Sequence, residues 1–308
     1  MKYPIKCVCC NKGLINEPYE ICEICGWEDD KIQNLDDSFS GGANKISLME
    51  YRSIYFKDRF VKHNNISFLE NTGLVKAIYT MKGHSIWKNE FEGANESYLD
   101  LASTFGVSTD DLVMINQTHS SNIRIMTREN GGELVNRPME QANVDGMITN
   151  EKGLMLCTVE ADCVPVYILD PIKNAIGMIH SGWKGTANII SVNAIKLMKE
   201  VYDSEPEDIM IAIGPCMCGK CYEVGEELIE EFRVNFTETE INFFFTNKGN
   251  GKFLLDMKKA IKIALINNGI KDKNIYDTDV CTYENDSLCS WRRDKSKTAR
   301  MLTAIMLK

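Results

Sequence analysis

Short apolar runs bounded by turn residues recur through the middle of the chain, most of them four to seven residues long and rich in Val, Ile and Met. The pattern predicts strands over 74–80, 112–115, 123–126, 146–149, 154–159, 164–169, 175–179 and 209–213. Apolar positions spaced three and four apart predict helices over 92–105, 187–201, 226–232 and 256–267, the first stopped by Gly106. Ser47-Leu48-Met49-Glu50-Tyr51 reads as a further helix start. Hairpin-like strand pairs mixed with crossover helices point to an α+β class, with mixed sheets covered by helices.

The runs 164–169 and 175–179 flank a short turn containing Asp170-Pro171, so they are expected to pair as neighbouring strands. That pairing brings Cys163, at the head of the first, beside His180, at the end of the second. His119 follows another apolar stretch, 112–115. One thiolate and two imidazoles are donors that zinc prefers, and three protein ligands with one open position is how catalytic zinc is usually held. Such an ion polarises water or a phosphate oxygen. Asp162, beside the thiolate, reads either as a solvated charge at a strand end or as a group that orients the ligand or shuttles a proton.

Charge and length narrow the class. The 308 residues suggest about two domains. With 35 basic against 44 acidic residues the net charge is −9, which argues against a nucleic-acid surface. No apolar signal core opens the chain, and no run approaches the roughly 18 to 20 apolar residues of a spanning helix, so neither a membrane nor an export route is expected. A cytoplasmic location follows as an expectation, and the 12 cysteines then read as metal ligands and core thiols rather than disulfides.

Five of those cysteines lie within the first 25 residues, as Cys7-x-x-Cys10 and Cys22-x-x-Cys25 with Cys9 as a fifth. Each pair fits a tight knuckle, and two knuckles can close a tetrahedral structural zinc site; independent reduced thiols are the alternative. Choosing Cys9 in place of Cys10 would break the two-residue spacing. The segment continues through Gly26-Trp27-Glu28-Asp29-Asp30 and Ser40-Gly41-Gly42-Ala43-Asn44. It resembles the cysteine-rich CPCC family, with Val8 where that family's proline is expected. The resemblance implies a small metal-binding domain over residues 1–55, before a second domain over 56–308.

In the second part Gln117-Thr118-His119, Val144-Asp145-Gly146, Ala161-Asp162-Cys163-Val164-Pro165, His180-Ser181-Gly182-Trp183-Lys184-Gly185, Ile213-Gly214-Pro215-Cys216, Cys221-Tyr222-Glu223-Val224-Gly225 and Arg292-Arg293-Asp294 follow one another. Their order resembles the bacterial laccase-domain, or multicopper polyphenol oxidase-like, proteins. That resemblance implies a layered α/β/β/α domain and a zinc-dependent purine nucleoside phosphorylase with adenosine deaminase side activity. His119, Cys163 and His180 match the family's metal ligands. Purine nucleosides and phosphate are the implied partners, with Asp162, Lys184, Arg292 and Arg293 in catalytic roles.

Trp183 and Tyr222 read as core or rim aromatics, or as stacking partners for a purine. Arg292 and Arg293 read as phosphate ligands or as surface charges. Lys184 stands where the family generally has arginine and keeps the charge without the bidentate fork. The family's Thr-Arg-x-Gly-Gly segment is here Thr80-Met81-Lys82-Gly83-His84, where Lys82 could supply a displaced cation for substrate. The tail 295–300 lacks the family's glycines.

The four histidines cannot furnish the imidazoles of a trinuclear copper cluster. A single His2Cys copper centre ranks below zinc. A Cys163/His180 thiol hydrolase and a non-catalytic zinc-binding protein are the remaining alternatives.

Overall fold

The computed structural model describes residues 2–10, 13–55, 61–82, 96–139, 141–295 and 299–308. Gly83 and His84, the start of the helix expected over 92–105, the junction at 56–60 and Ser296–Thr298 of the tail lie outside the described residues. Two compact units account for the rest: Met1–Val61 with Asn95–Ser108, and Lys62–Ala94 with Thr109–Lys308.

The first unit is built on turns and polar clasps. Strands Ile5–Lys6 and Leu14–Ile15 pair antiparallel around the first cysteine knuckle. Cys7 N–H donates to Gly13 O (2.8 Å), and in the second knuckle Gly26 N–H donates to Cys22 O (2.8 Å). Gly13 is needed for space, because a Cβ there would collide with Cys22 Sγ. The helix Lys31–Leu35 is capped by Asp30, which accepts from the N–H groups of Ile32 and Gln33. The buried Gln33 amide binds the carbonyls of Phe39, Asn44 and Ile46, and so folds the Gly-Gly-Ala-Asn segment around itself. The helix Leu48–Tyr55 starts where expected: the Ser47 hydroxyl accepts from Glu50 N–H while the Glu50 carboxylate accepts from Ser47 N–H. The helix Glu96–Phe105 ends at Gly106, whose φ of +67° suits glycine.

The second unit holds two large mixed sheets. In the six-stranded sheet the order is Ile275–Asp277, Met210–Ile213, Val164–Asp170, Ala175–Ser181, Gly146–Thr149 and Ile123–Ile125. In the five-stranded sheet it is His63–Asn65, Val75–Thr80, Met301–Leu307, Met155–Glu160 and Leu112–Val113. Each contains parallel and antiparallel pairs, in keeping with the α+β class. Val164–Asp170 is buried on both faces. Val166 and Ile168 pack with Ile190, Ile195 and Met198 of the helix Ile190–Tyr202. Tyr167 and Leu169 pack with Leu156 and Ile305 of the five-stranded sheet. Such two-sided burial requires a near-continuous apolar run rather than an alternating one. A smaller antiparallel sheet carries Glu223–Gly225, Lys252–Leu255 and Phe245–Gly249.

Two local differences from the pattern reading have clear causes. The helix expected over 187–201 is two helices, Trp183–Ala187 and Ile190–Tyr202, broken at Ile189, which sits at φ +48°. Met301–Leu307 pairs with both Val75–Thr80 and Met155–Glu160, although no strand was expected there. Its run of Met, Leu and Ala carries no alternation, so periodicity alone cannot tell a buried strand from a helix. Among the described residues, no helix is long and apolar enough to cross a membrane.

Candidate metal and substrate site

The second unit's site forms where the chain passes between the two large sheets. Met155–Glu160 belongs to one sheet and Val164–Asp170 to the other, so Ala161-Asp162-Cys163 is the corner joining them. A second crossing, from Leu112–Val113 to Ile123–Ile125, carries His119. The expected hairpin holds, with His180 opposite Pro165 and Ser181 opposite Val164. These three side chains converge: their ligand atoms all lie within 4.8 Å of one another. His119 Nε2 is 3.7 Å from Cys163 Sγ. A tetrahedral ion with bonds of about 2.0–2.3 Å separates its ligands by about 3.3–3.8 Å, so the donor set fits a soft or borderline divalent cation.

Asp145 organises the cluster. It is fully buried, and its Oδ1 takes His180 Nδ1 at 2.8 Å and His119 N–H at 3.1 Å. Its Oδ2 accepts from Ser120 N–H and Ser120 Oγ, both at 2.6 Å, and from Thr118 N–H at 3.2 Å. One carboxylate therefore turns His180 Nε2 toward the ligand position and fixes the loop in which His119 adopts φ +62°. Gln117 secures the same loop by exchanging hydrogen bonds with both backbone groups of Val159 (2.8 and 2.9 Å). Gly182 leaves the space: a Cβ there would lie 2.6 Å from His119 Cδ2 and 3.3 Å from Cys163 Sγ.

The protonation state follows from these neighbours. Burial pushes the Cys163 thiol up, but the His180 charge, hydrogen bonds from both imidazoles and the His119 charge outweigh it and bring it down to about 6. Burial pushes His180 down, while the Cys163 thiolate and Asp145 raise it to about 10. Each group thus favours the charged form of the other. Burial also holds the nearby Glu160 carboxyl up at about 7.

The cluster opens on a cavity of about 400 Å³, within the range of small-molecule sites. Asp162, Trp183, Tyr222, Arg292 and Arg300 also line it. Asp162 stands at φ +89° with its carboxylate engaged, Oδ1 by Thr282 Oγ1 (2.6 Å) and Oδ2 by Arg292 N–H (2.7 Å). The Arg292 guanidinium lies over the Tyr222 ring, 5.4 Å from its centroid, and donates to Glu223 O.

The two neighbouring arginines expected at an anion part company. Arg293 lies outside the cavity lining, with its guanidinium bound to the carbonyls of Thr282, Tyr283, Asn285 and Leu288 and to Asp294. Lys184 is exposed, 5.5 Å from the Trp183 ring, and also outside the lining. Lys82 pairs with Asp294 at 2.8 Å and does not line the cavity. Neither Asp145 nor Arg300 stands out as a site residue by donor spacing. For Asp145 the signal was present, a lone acid between apolar positions immediately before the strand Gly146–Thr149.

In the first unit Cys7, Cys10, Cys22 and Cys25 form a second ligand cluster, all buried. Cys7 Sγ lies 3.6 Å from Cys25 Sγ, and Cys10 Sγ 3.6 Å from Cys22 Sγ, close to a tetrahedral edge. Cys9 is buried beside them but is not part of the cluster.

Known proteins share both regions. Residues 83–308 match the family model described as multi-copper polyphenol oxidoreductase laccase, and residues 5–68 match that described as cysteine-rich CPCC. The chain is 32% identical over 216 residues to a protein of Bacillus subtilis named purine nucleoside phosphorylase YlmD, covering 70% of this chain and 76% of that one. It is 28% identical over 264 residues to adenosine deaminase RL5 of an unknown prokaryotic organism, covering 80% and 100%. The crystal structure of Bacillus licheniformis hypothetical protein YfiH superposes with a TM-score of 0.73 at 28% identity, covering 80% of this chain and 97% of that one. With its two crossing corners, its His119, Cys163 and His180 cluster and these likenesses, the chain belongs to the multi-copper polyphenol oxidoreductase laccase family and carries a cysteine-rich CPCC domain at its N-terminal end.

Proposed function

We propose that the cavity beside His119, Cys163 and His180 cleaves purine nucleosides with phosphate, giving free base and ribose 1-phosphate, and also deaminates adenosine. In this reading residues 56–308 form the catalytic domain and residues 1–55 a structural zinc domain. The convergence of three metal donors on a cavity of about 400 Å³ carries the reading. The names of the two relatives agree with it.

Zinc held by His119, Cys163 and His180 would supply a Lewis acid at the cavity wall. The chain's own groups do the rest. Asp145 keeps His180 and the His119 loop in the ligating orientation. Trp183 and Tyr222 offer aromatic faces to the base. Arg292 and Arg300 offer positive charge to phosphate, taking the part that Lys184 and Arg293 had on sequence grounds. Asp162 fixes the Arg292 backbone, and Tyr222 fixes its guanidinium, so the anion meets a prepositioned cation.

The test incubates the zinc-loaded protein with inosine or adenosine, with and without phosphate. Base and ribose 1-phosphate, formed only with phosphate, are expected. Free ribose at equal rates with and without phosphate would make the protein a hydrolase. Tight zinc binding without turnover would make it a non-catalytic zinc protein, a reading favoured by the exposed position of Lys184.

A further inference from the structure

We propose a third metal site in this chain, held by Cys218, Cys221, Cys281 and Glu284. Their ligand atoms, three thiols and one carboxylate, all lie within 4.8 Å of one another. They come from two turns that repeat the spacing of the N-terminal knuckles, Cys218-x-x-Cys221 and Cys281-x-x-Glu284. A sequence gap of 63 residues separates each facing pair, Cys218 from Cys281 and Cys221 from Glu284.

The backbone prepares both turns. Cys221 N–H and Tyr222 N–H donate to Cys218 O (3.0 and 3.1 Å), while Asn285 N–H donates to Cys281 O (3.1 Å). Cys216 and Cys281 form a parallel bridge that sets the turns face to face. Cys218 N–H points at Cys281 Sγ (3.3 Å), the polarity that stabilises a thiolate rather than a thiol. Cys221 Sγ lies 3.4 Å from Glu284 Oε1. In the first turn Gly219 permits close approach, because a Cβ there would sit 2.6 Å from Asp256 Cβ. The three cysteines are half-buried and Glu284 is exposed, so an ion could enter from the surface.

Three thiolates favour a soft or borderline cation such as zinc over magnesium or calcium, and binding would release the thiol protons to solvent. None of the four residues lines the 400 Å³ cavity, so the cluster is not an extension of the site already described. The adjoining residues link it to that cavity: Tyr222, after Cys221, lines it, and Thr282, after Cys281, donates to Asp162 of the lining. A bound ion would staple these two loops together behind the cavity wall.

The experiment measures zinc per chain in the full-length protein, in Cys281→Ser and in the double variant Cys218→Ser/Cys221→Ser, after dialysis against trace zinc. Each variant should lose one equivalent relative to the parent. Cobalt(II)-loaded parent should show thiolate charge-transfer absorbance that each variant reduces. Glu284→Gln, at an exposed position, guards against misfolding: its zinc should pass to a chelator faster than the parent's, by at least the roughly tenfold that loss of an outer-shell partner costs. Equal zinc content and release in all proteins, or a disulfide between two of the three cysteines in the freshly purified parent, would overturn the proposal. Because the readout is metal content, it stands apart from whether the 400 Å³ cavity turns over nucleosides.

Discussion

The N-terminal cysteine cluster and the His119, Cys163 and His180 cluster use similar donors in opposite ways. The first is closed: four sulfurs, all buried, face one another within a small unit. Five of the eight buried residues in the apolar cluster around it are cysteines, with Ile15, Trp27 and Leu48 beside them and Tyr3, Ile5, Val8, Tyr51 and Tyr55 partly buried against it. A cluster this rich in sulfur is one that a metal cross-link would stabilise strongly. The second is open: His119 is exposed and Cys163 half-buried, and both stand on corners between two large packed sheets. In one region a metal would make the fold, and in the other the fold brings together the groups that could hold one.

The largest effect should come from breaking the closed cluster. Metal binding in such small domains has an apparent free energy of about 10–16 kcal/mol. Cys22→Ser, or chelation, should therefore abolish amide protection across Ile5–Tyr55 while protection in Val164–Asp170 persists. Hydrogen exchange with mass spectrometry reads both at once, and unchanged protection in the first region would erase the contrast.

Cys163→Ala should do the reverse. Turnover should fall by more than the roughly 10–100-fold that loss of an outer-shell partner costs. The far-UV circular dichroism should stay at the parent's, with a stability cost of about 1 kcal/mol. Cooperative unfolding in this variant would place the open site in the same class as the closed one.

A third difference is what a large core tolerates. Glu160, at the end of Met155–Glu160, is buried; Thr303 Oγ1 donates to its Oε2 at 2.9 Å, and its Oε1 has no hydrogen-bond partner among the described residues. Burial raises its carboxyl from 4.5 to about 7. A raised folded-state value means that Glu160 imposes no ionisation cost below about pH 4.5. The cost grows as pH rises toward 7 and is full above it, reaching about 3 kcal/mol. Glu160→Gln, measured by denaturant unfolding of the metal-free protein, should match the parent near pH 4 and exceed its stability by up to that amount at pH 8. Parallel pH profiles would refute this.

The smallest effect concerns affinity. Asp145→Asn keeps the shape but weakens the grip on His180 and on the His119 loop. Zinc affinity at the open site should fall about 10–100-fold, read by competition with a chromophoric chelator, with the closed site unaffected.

The two regions also differ in how much the chain discloses. Knuckle spacing is local, so Cys7, Cys10, Cys22 and Cys25 could be selected, and Cys9 set aside, from sequence separation alone. The Ser47 capping box and the stop at Gly106 are equally local. The pairing of Val164–Asp170 with Ala175–Ser181 was legible because a short turn joins them, and it brought Cys163 to His180. Arg292 and Arg293 were not separable, because adjacent side chains leave a short helix in different directions. Only their surroundings assign one to the cavity and the other to a cage of carbonyls.

Donor types, knuckles, the mixed strand-and-helix pattern and the hairpin beneath Cys163 and His180 are all legible in the order of residues. That Asp145 binds both the His180 ring and the His119 loop, that Met301–Leu307 lies between two strands of the five-stranded sheet, and that Cys218 and Cys221 meet Cys281 and Glu284 emerges only from long-range packing. The division has a physical cause. Hydrophobic period and turn geometry act over a few residues, whereas contacts across tens of residues depend on which sheet faces bury each other, and no local pattern encodes that choice.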